Sequence, residues 1–494
     1  MRRTTPPTAP LTTAGLLGLA LLAPVAWAAP AAAVGETCRG EAATIVGTGP
    51  AVTGTEGRDV IVSGSATSVD ALGGDDLICI AVIGTTNANV LDVDAGTGAD
   101  VVDTTAMGGG YYVATTLGAG TDTFVGGRTG DTVWAGDGSY DGAGTDTETD
   151  QIDTGTGRDS VLSGTPGTPN HDVVRLGDGD DDLTLGSPAL AADAVVDGGA
   201  GGDGLTLRTQ DDDVTLDVPS STFTSAAGTA AFSGFERSSI VAGSGTVTYR
   251  GTDGDDTFDV HPQGGTPTLR VTTGAGDDGV TVEPATITAA SSIDTGAGDD
   301  QLVAATQTGS LAIDLPRDVL TVAGAEVPAV GVEGAWLLAP TVAMTGDGKD
   351  NELTWSGCDA TLRGGEGNDS LYWNYDYLFE AYEFDCASGK ATMNGGAGRD
   401  YLRSSGGDDR LVGGAGHDKV FGRGGDDTIR GGRGNDTLDG GEGRDDVRGQ
   451  QGRDKLLGRG GGDTLLGGQG RGDTADGAKG RDRCAAERER RCER

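Results

Sequence analysis

The chain has 494 residues, of which 91 are Gly, only 4% are aromatic, and the formal net charge is −41. That composition cannot fill one large globular core, lacks collagen's three-residue period, and repels the phosphates of nucleic acid. It suits a solenoid, whose core is thin and continuous. The acid is unevenly placed, with 20 Lys/Arg against 19 Asp/Glu from Gly395 to the end and 15 against 57 before it.

Residues 1–28 read as a secretory signal: Arg2 and Arg3, an apolar run over Leu11–Ala26, then Ala26-Trp27-Ala28 as a cleavage site. No later stretch is long and apolar enough to predict a membrane span. Six cysteines remain, an even number in an exported chain, and their clustering predicts Cys38–Cys79, Cys358–Cys386 and Cys484–Cys492. None has a CxxC spacing, which argues against zinc.

Residues 29–94 read as an N-terminal cap. GTEGRDVIV, Gly54–Val62, has Gly at position 4, Asp59 at position 6 and an apolar residue at position 8. DALGGDDLI, Asp70–Ile78, is read the same way, with Asp75 at position 6. A Cys38–Cys79 bond would tie down this first coil.

Over 95–196 the pattern stretches. Gly-x-Asp turns recur about every 22 residues, giving Asp100, Asp122, Asp159 and Asp181, and later Asp203, Asp256, Asp278 and Asp300. Val/Thr-rich segments between them predict degenerate solenoid coils. Within 197–354 a module is duplicated at an offset of 97: Asp197–Glu236 matches Asp294–Glu333 at 14 of 40 positions, including Glu236 and Glu333. Residues 355–394 hold one good unit, with Asp369 at position 6. A Cys-bracketed insert, Trp373–Asn394, follows. Tyr372, Trp373, Tyr375, Tyr377, Phe379, Tyr382 and Phe384 are seven of the 22 aromatic residues. Two readings stand for them: a hydrophobic plug over the roll, or a surface for a polysaccharide or cell-surface component.

Residues 395–466 are eight gapless nonapeptides, from GGAGRDYLR to GRGGGDTLL. Position 4 is always Gly, position 8 always apolar, and position 6 always Asp: Asp400, Asp409, Asp418, Asp427, Asp436, Asp445, Asp454 and Asp463. Glycines allow tight turns, and the apolar residue points inward from a short strand. Two units make one coil of a parallel β-roll. Alternate Asp then stack on opposite edges. Carboxylates one coil apart, about 4.8 Å, repel by roughly 3.5 kcal/mol at an effective dielectric near 20. The roll therefore calls for a cation, and flexible hard-oxygen turns suit Ca²⁺ better than Mg²⁺. About six ions would fit between these turns. Loss of an interior ligand, Asp427 or Asp436, should harm folding more than loss of Asp400 at the first coil.

These units resemble the calcium-binding nonapeptide of RTX (haemolysin-type) repeat proteins of the secreted bacterial type. The resemblance implies an all-β parallel β-roll or β-solenoid. It also implies that Asp side chains and main-chain carbonyls of stacked turns share Ca²⁺. By that likeness the metal ligands are the eight Asp, with Asp369, Asp59 and Asp75.

Residues 467–494 follow a one-residue slip in GGQGRGDTA and read as a basic cap. The three histidines, His171, His261 and His417, form no HExxH, and no GxSxG is present. His417 stands at a variable turn position with no partner in the pattern. A secreted, calcium-dependent structural or adhesive protein is the expectation. A β-helical polysaccharide lyase or epimerase within Ala95–Ala343 is the remaining enzyme reading.

Overall fold

The computed structural model describes residues 36–81, 90–107, 112–136, 148–165, 168–187, 189–191, 194–374, 384, 386 and 389–492. The secretory segment and Tyr375, Tyr377, Phe379 and Tyr382 of the aromatic cluster lie outside them.

The nine-residue period becomes two facing parallel sheets. Strands Arg410–Ala415, Thr428–Arg433, Asp446–Gly452 and Thr464–Gly470 pair in parallel, aligning Leu411, Ile429, Val447 and Leu465. Opposite them, Tyr401–Arg403, Lys419–Gly424, Thr437–Glu442 and Lys455–Gly461 align Leu402, Val420, Leu438 and Leu456. All eight position-8 side chains are 0% exposed. Each removes an aliphatic group from water, contributing about 1.5–3 kcal/mol. The fold is all-β, a parallel solenoid whose core is one residue deep from each sheet.

The same construction runs upstream with longer coils. Val90–Asp94, Tyr112–Thr116, Gly130–Trp134, Ser160–Ser163 and Asp182–Leu185 pair in parallel in one sheet. In the facing sheet Val102, Phe124, Ile152, Val174 and Val196 stack in register and are all buried. The duplicated modules each insert an antiparallel meander: Val214–Asp217, Thr222–Ser225 and Gly228–Ala231, then Ser310–Asp314, Val319–Val322 and Ala325–Val330.

Beyond Leu466 the coils continue. Arg483–Ala485 pairs with Thr464–Gly470, and Arg488–Arg490 pairs with Thr474–Asp476. The one-residue slip is absorbed in the turn, so Asp473 lies 19 residues after its stacking partner Asp454 rather than 18.

The three cysteine pairs join as their clustering predicts. Cα–Cα separations are 5.4 Å for Cys38–Cys79, 5.3 Å for Cys358–Cys386 and 5.9 Å for Cys484–Cys492. The last pair is only eight residues apart, so its segment folds back, between Arg483–Ala485 in one sheet and Arg488–Arg490 in the other. Non-reducing peptide mapping should recover all three bonds. Removing Cys38–Cys79 should lower stability by about 2–4 kcal/mol. Free thiols at Cys38 and Cys79 would refute the capping role.

Candidate metal centre

In each unit the first half turns and the second half extends, which places the position-6 Asp at the corner, side chain inward. Asp400, Asp409, Asp418, Asp427, Asp436, Asp445, Asp454 and Asp463 are 1–3% exposed. They stack on two edges. On one, the main-chain N–H groups of Asp400, Asp418 and Asp436 donate to Oδ1 of Asp418, Asp436 and Asp454, each at 3.0 Å. On the other, those of Asp409, Asp427 and Asp445 donate to Oδ1 of Asp427, Asp445 and Asp463 at 2.8–3.0 Å. Each carboxylate therefore grips the preceding coil's amide.

The second oxygen is different. Oδ2 of all eight, and of Asp369 and Asp482, is buried without a hydrogen-bond partner. A buried polar atom left unpaired costs about 1–3 kcal/mol, more for a charged group. Nearby lies a main-chain oxygen: a Cβ built on Gly413 would sit 2.5 Å from Asp418 Oδ2 and 2.7 Å from the Gly431 carbonyl oxygen. The donors are all hard oxygens, the set that suits Ca²⁺. Among the described residues no three Asp, Glu, His or Cys side chains converge on one point. A cation here would draw on Oδ2 atoms and main-chain carbonyls together, so the residues fit the ion that the sequence calls for.

Electrostatics agrees in direction and corrects the cause. Burial pushes the Asp427 carboxyl up to about 8, and the charges of Asp409 and Asp445 add to it. Burial likewise raises Asp418 and Asp369 to about 7, and Asp409, Asp445 and Asp454 to about 6. Loss of water outweighs the repulsion between neighbouring carboxylates on which the sequence argument rested. The Oδ1–amide bonds partly compensate, holding the acids down.

Several placements differ from the sequence reading. Asp400 does not begin its edge: the Asp369 N–H donates to Asp400 Oδ1 at 2.9 Å, across 31 residues instead of 18, and the Asn351 N–H donates to Asp369 Oδ1. Asp400 is thus an interior position. In the first units Asp76, not Asp75, takes the corner. It accepts the Asp59 N–H at 2.6 Å and is 1% exposed, whereas Asp75 is exposed. Asp59 differs from the roll residues, because its Oδ2 already accepts the Thr55 N–H and hydroxyl at 2.7 and 2.9 Å. His417 does have a partner, the Asn435 N–H, which donates to Nδ1 at 2.8 Å.

The ladder also runs through the upstream turns that the Gly-x-Asp spacing picks out, and adds Asp76, Asp131 and Asp150 to them. Asp76, Asp100, Asp122 and Asp150 continue one upstream edge, and Asp131, Asp159, Asp181 and Asp203 form another. Asp256, Asp278 and Asp300 make a third run. Three runs end on Glu: the N–H groups of Asp203, Asp300 and Asp473 donate to Oε2 of Glu236, Glu333 and Glu487 at 2.7, 3.1 and 2.9 Å.

Residues 116–139, 359–372, 388–420, 404–438, 421–456 and 439–473 match the family model of the RTX calcium-binding nonapeptide repeat. A search of curated proteins finds no match. Eight gapless units, the parallel roll they build, and this match to the same residues show that the chain carries RTX calcium-binding nonapeptide repeats.

Proposed function

We propose that this is an exported protein whose C-terminal roll closes on Ca²⁺ and that serves a structural or adhesive role at or beyond the cell surface. The carrying observation is the row of buried Asp Oδ2 atoms without partners, repeated on both edges. The metal ligands in this reading are Asp369 and the eight Asp from Asp400 to Asp463. With Asp369 before Asp400 they leave four gaps on one edge and three on the other, room for about six to seven ions. A bound Ca²⁺ supplies the positive charge that the dehydrated carboxylates lack. The chain's own part is to hold each Oδ1 on an amide, so that Oδ2 stays aimed. Three disulfides suit an oxidising compartment. No helix among the described residues is long and apolar enough to cross a membrane.

Each site filled only in the folded state adds about 1.4 kcal/mol at tenfold excess over its Kd. Extracellular calcium near millimolar matches the weak affinity typical of exported modules. Isothermal titration of the mature chain should show at least about three ions bound. Fewer would sink the multi-site ladder.

A further inference from the structure

The nonapeptide opens on a glycine whose backbone does not require one. Gly413, Gly422, Gly431 and Gly449 stand at position 1, and none has a φ in the left-handed region. Space is what demands Gly. A Cβ on Gly422 would lie 2.1 Å from Asp427 Oδ2, and one on Gly431 2.4 Å from Asp436 Oδ2. Position 1 therefore fronts the unpartnered oxygen.

Other turns fill that space. Ser404 holds position 1 of the Asp409 turn, and its hydroxyl donates to the Gly422 carbonyl at 2.8 Å. That carbonyl is the next coil's position 1. Thr154 and Thr273 do the same before Asp159 and Asp278, donating to the Leu176 and Thr295 carbonyls at 2.6 and 2.7 Å. Leu117 and Leu176 stand there before Asp122 and Asp181, both 0% exposed.

We propose that the residue at position 1 decides which turns take a cation. Gly leaves the carboxylate's front open. A Ser or Thr hydroxyl leaves Oδ2 unpartnered but engages the one carbonyl of the next coil that would share the ion. A Leu there puts its side chain in the apolar core and offers the site no oxygen. Calcium is then confined to Gly-headed turns with an unpartnered Oδ2, which are those of the C-terminal roll and, upstream, the Gly198 turn before Asp203, whose Oδ2 is also buried without a partner. The Ser404 turn within the roll is closed. The upstream turns headed by Thr or Leu are metal-free, although their Asp are equally buried and their Oδ2 atoms equally unpartnered. This rests on the calcium reading of the roll and refines it.

The test is calcium stoichiometry of the full exported chain, by equilibrium dialysis and elemental analysis. Ser404→Gly should bind about one more ion than the wild type, and Gly431→Ser about one fewer. Ser404→Gly installs the residue that other units carry, so it decides even if Gly431→Ser fails to fold. An unchanged or lower count in Ser404→Gly overturns the gate while the calcium roll stands. A wild-type chain that binds no calcium overturns the roll reading and the gate with it.

Discussion

Asp427→Ala should destabilise the calcium-loaded chain by about 3 kcal/mol, whereas Asp426→Ala, its neighbour, should leave the stability nearly unchanged. The two side chains differ by one position and by a face. Asp427 is 2% exposed, and its Oδ1 accepts the Asp409 N–H at 2.8 Å. Its own N–H donates to Asp445 Oδ1 at 2.9 Å. Removing the carboxylate orphans a buried amide and takes an oxygen from the Asp427–Asp445 gap, whose front Gly422 leaves open. Asp426 is exposed; it pairs with Arg444 at 2.8 Å and accepts the Arg444 N–H. Water can replace those contacts. Asp400→Ala should resemble Asp427→Ala, because Asp369 stacks before it. Urea midpoints in saturating calcium would measure all three. Equal losses at 426 and 427 would show that burial of the corner carboxylate does not matter.

Without calcium, the roll should be β-rich near pH 5 and lose strand content as the pH rises to 8. The sign follows from the raised acids. Asp427 at about 8, Asp418 at about 7, and Asp409, Asp445 and Asp454 at about 6 all lie above the unfolded value of 3.8. A group raised on folding stabilises fully below its unfolded value and loses that contribution as pH climbs through its folded value. In the calcium-free chain the window of loss is therefore about pH 4 to 8. Calcium requires the ionised form, so its stabilising effect should be largest at pH 8. Circular dichroism of calcium-stripped protein, followed by titration with calcium at each pH, gives both curves. A calcium-free spectrum equally strand-rich at pH 5 and 8 would refute burial as the obstacle to closure.

Much of this was legible because the repeat is strict. Position 8 fixed the core and the nine-residue period fixed the two edges, since an apolar residue every ninth place admits few other stackings. The weaker units were harder to register. Gly73-Gly74-Asp75-Asp76 offers two glycines and two acids, and a nine-residue count from Asp70 lands on Asp75 where the buried corner is Asp76. The spacing used further upstream, Gly two residues before Asp, selects Gly74 and Asp76. Gly74 has φ 125°, as the turn needs. Asp131 and Asp150 escape the Gly-x-Asp pattern because Thr129 and Glu148 stand where it has Gly, and because Asp131 stacks on Asp159 and Asp122 on Asp150 across 28 residues rather than 22. The amide grip on Oδ1 was invisible, because sequence shows which acids stack but not what they face.

The glutamates that close three runs bear on how such a chain lengthens. Between Asp203 and Glu236, and between Asp300 and Glu333, the partners lie 33 residues apart, where ordinary upstream coils span 22. The extra residues form the meander, and Glu, one methylene longer than Asp, ends the run there. A new run starts at Asp256, whose Oδ2 is satisfied locally by the Thr252 N–H and hydroxyl at 2.7 and 3.0 Å. Each seam is thus chemically finished on both sides. A copy cut from seam to seam adds coils without opening a carboxylate ladder, and the 97-residue offset between the two meanders is the length of one such addition. Growth at these seams lets the solenoid gain reach while every existing coil keeps its neighbours.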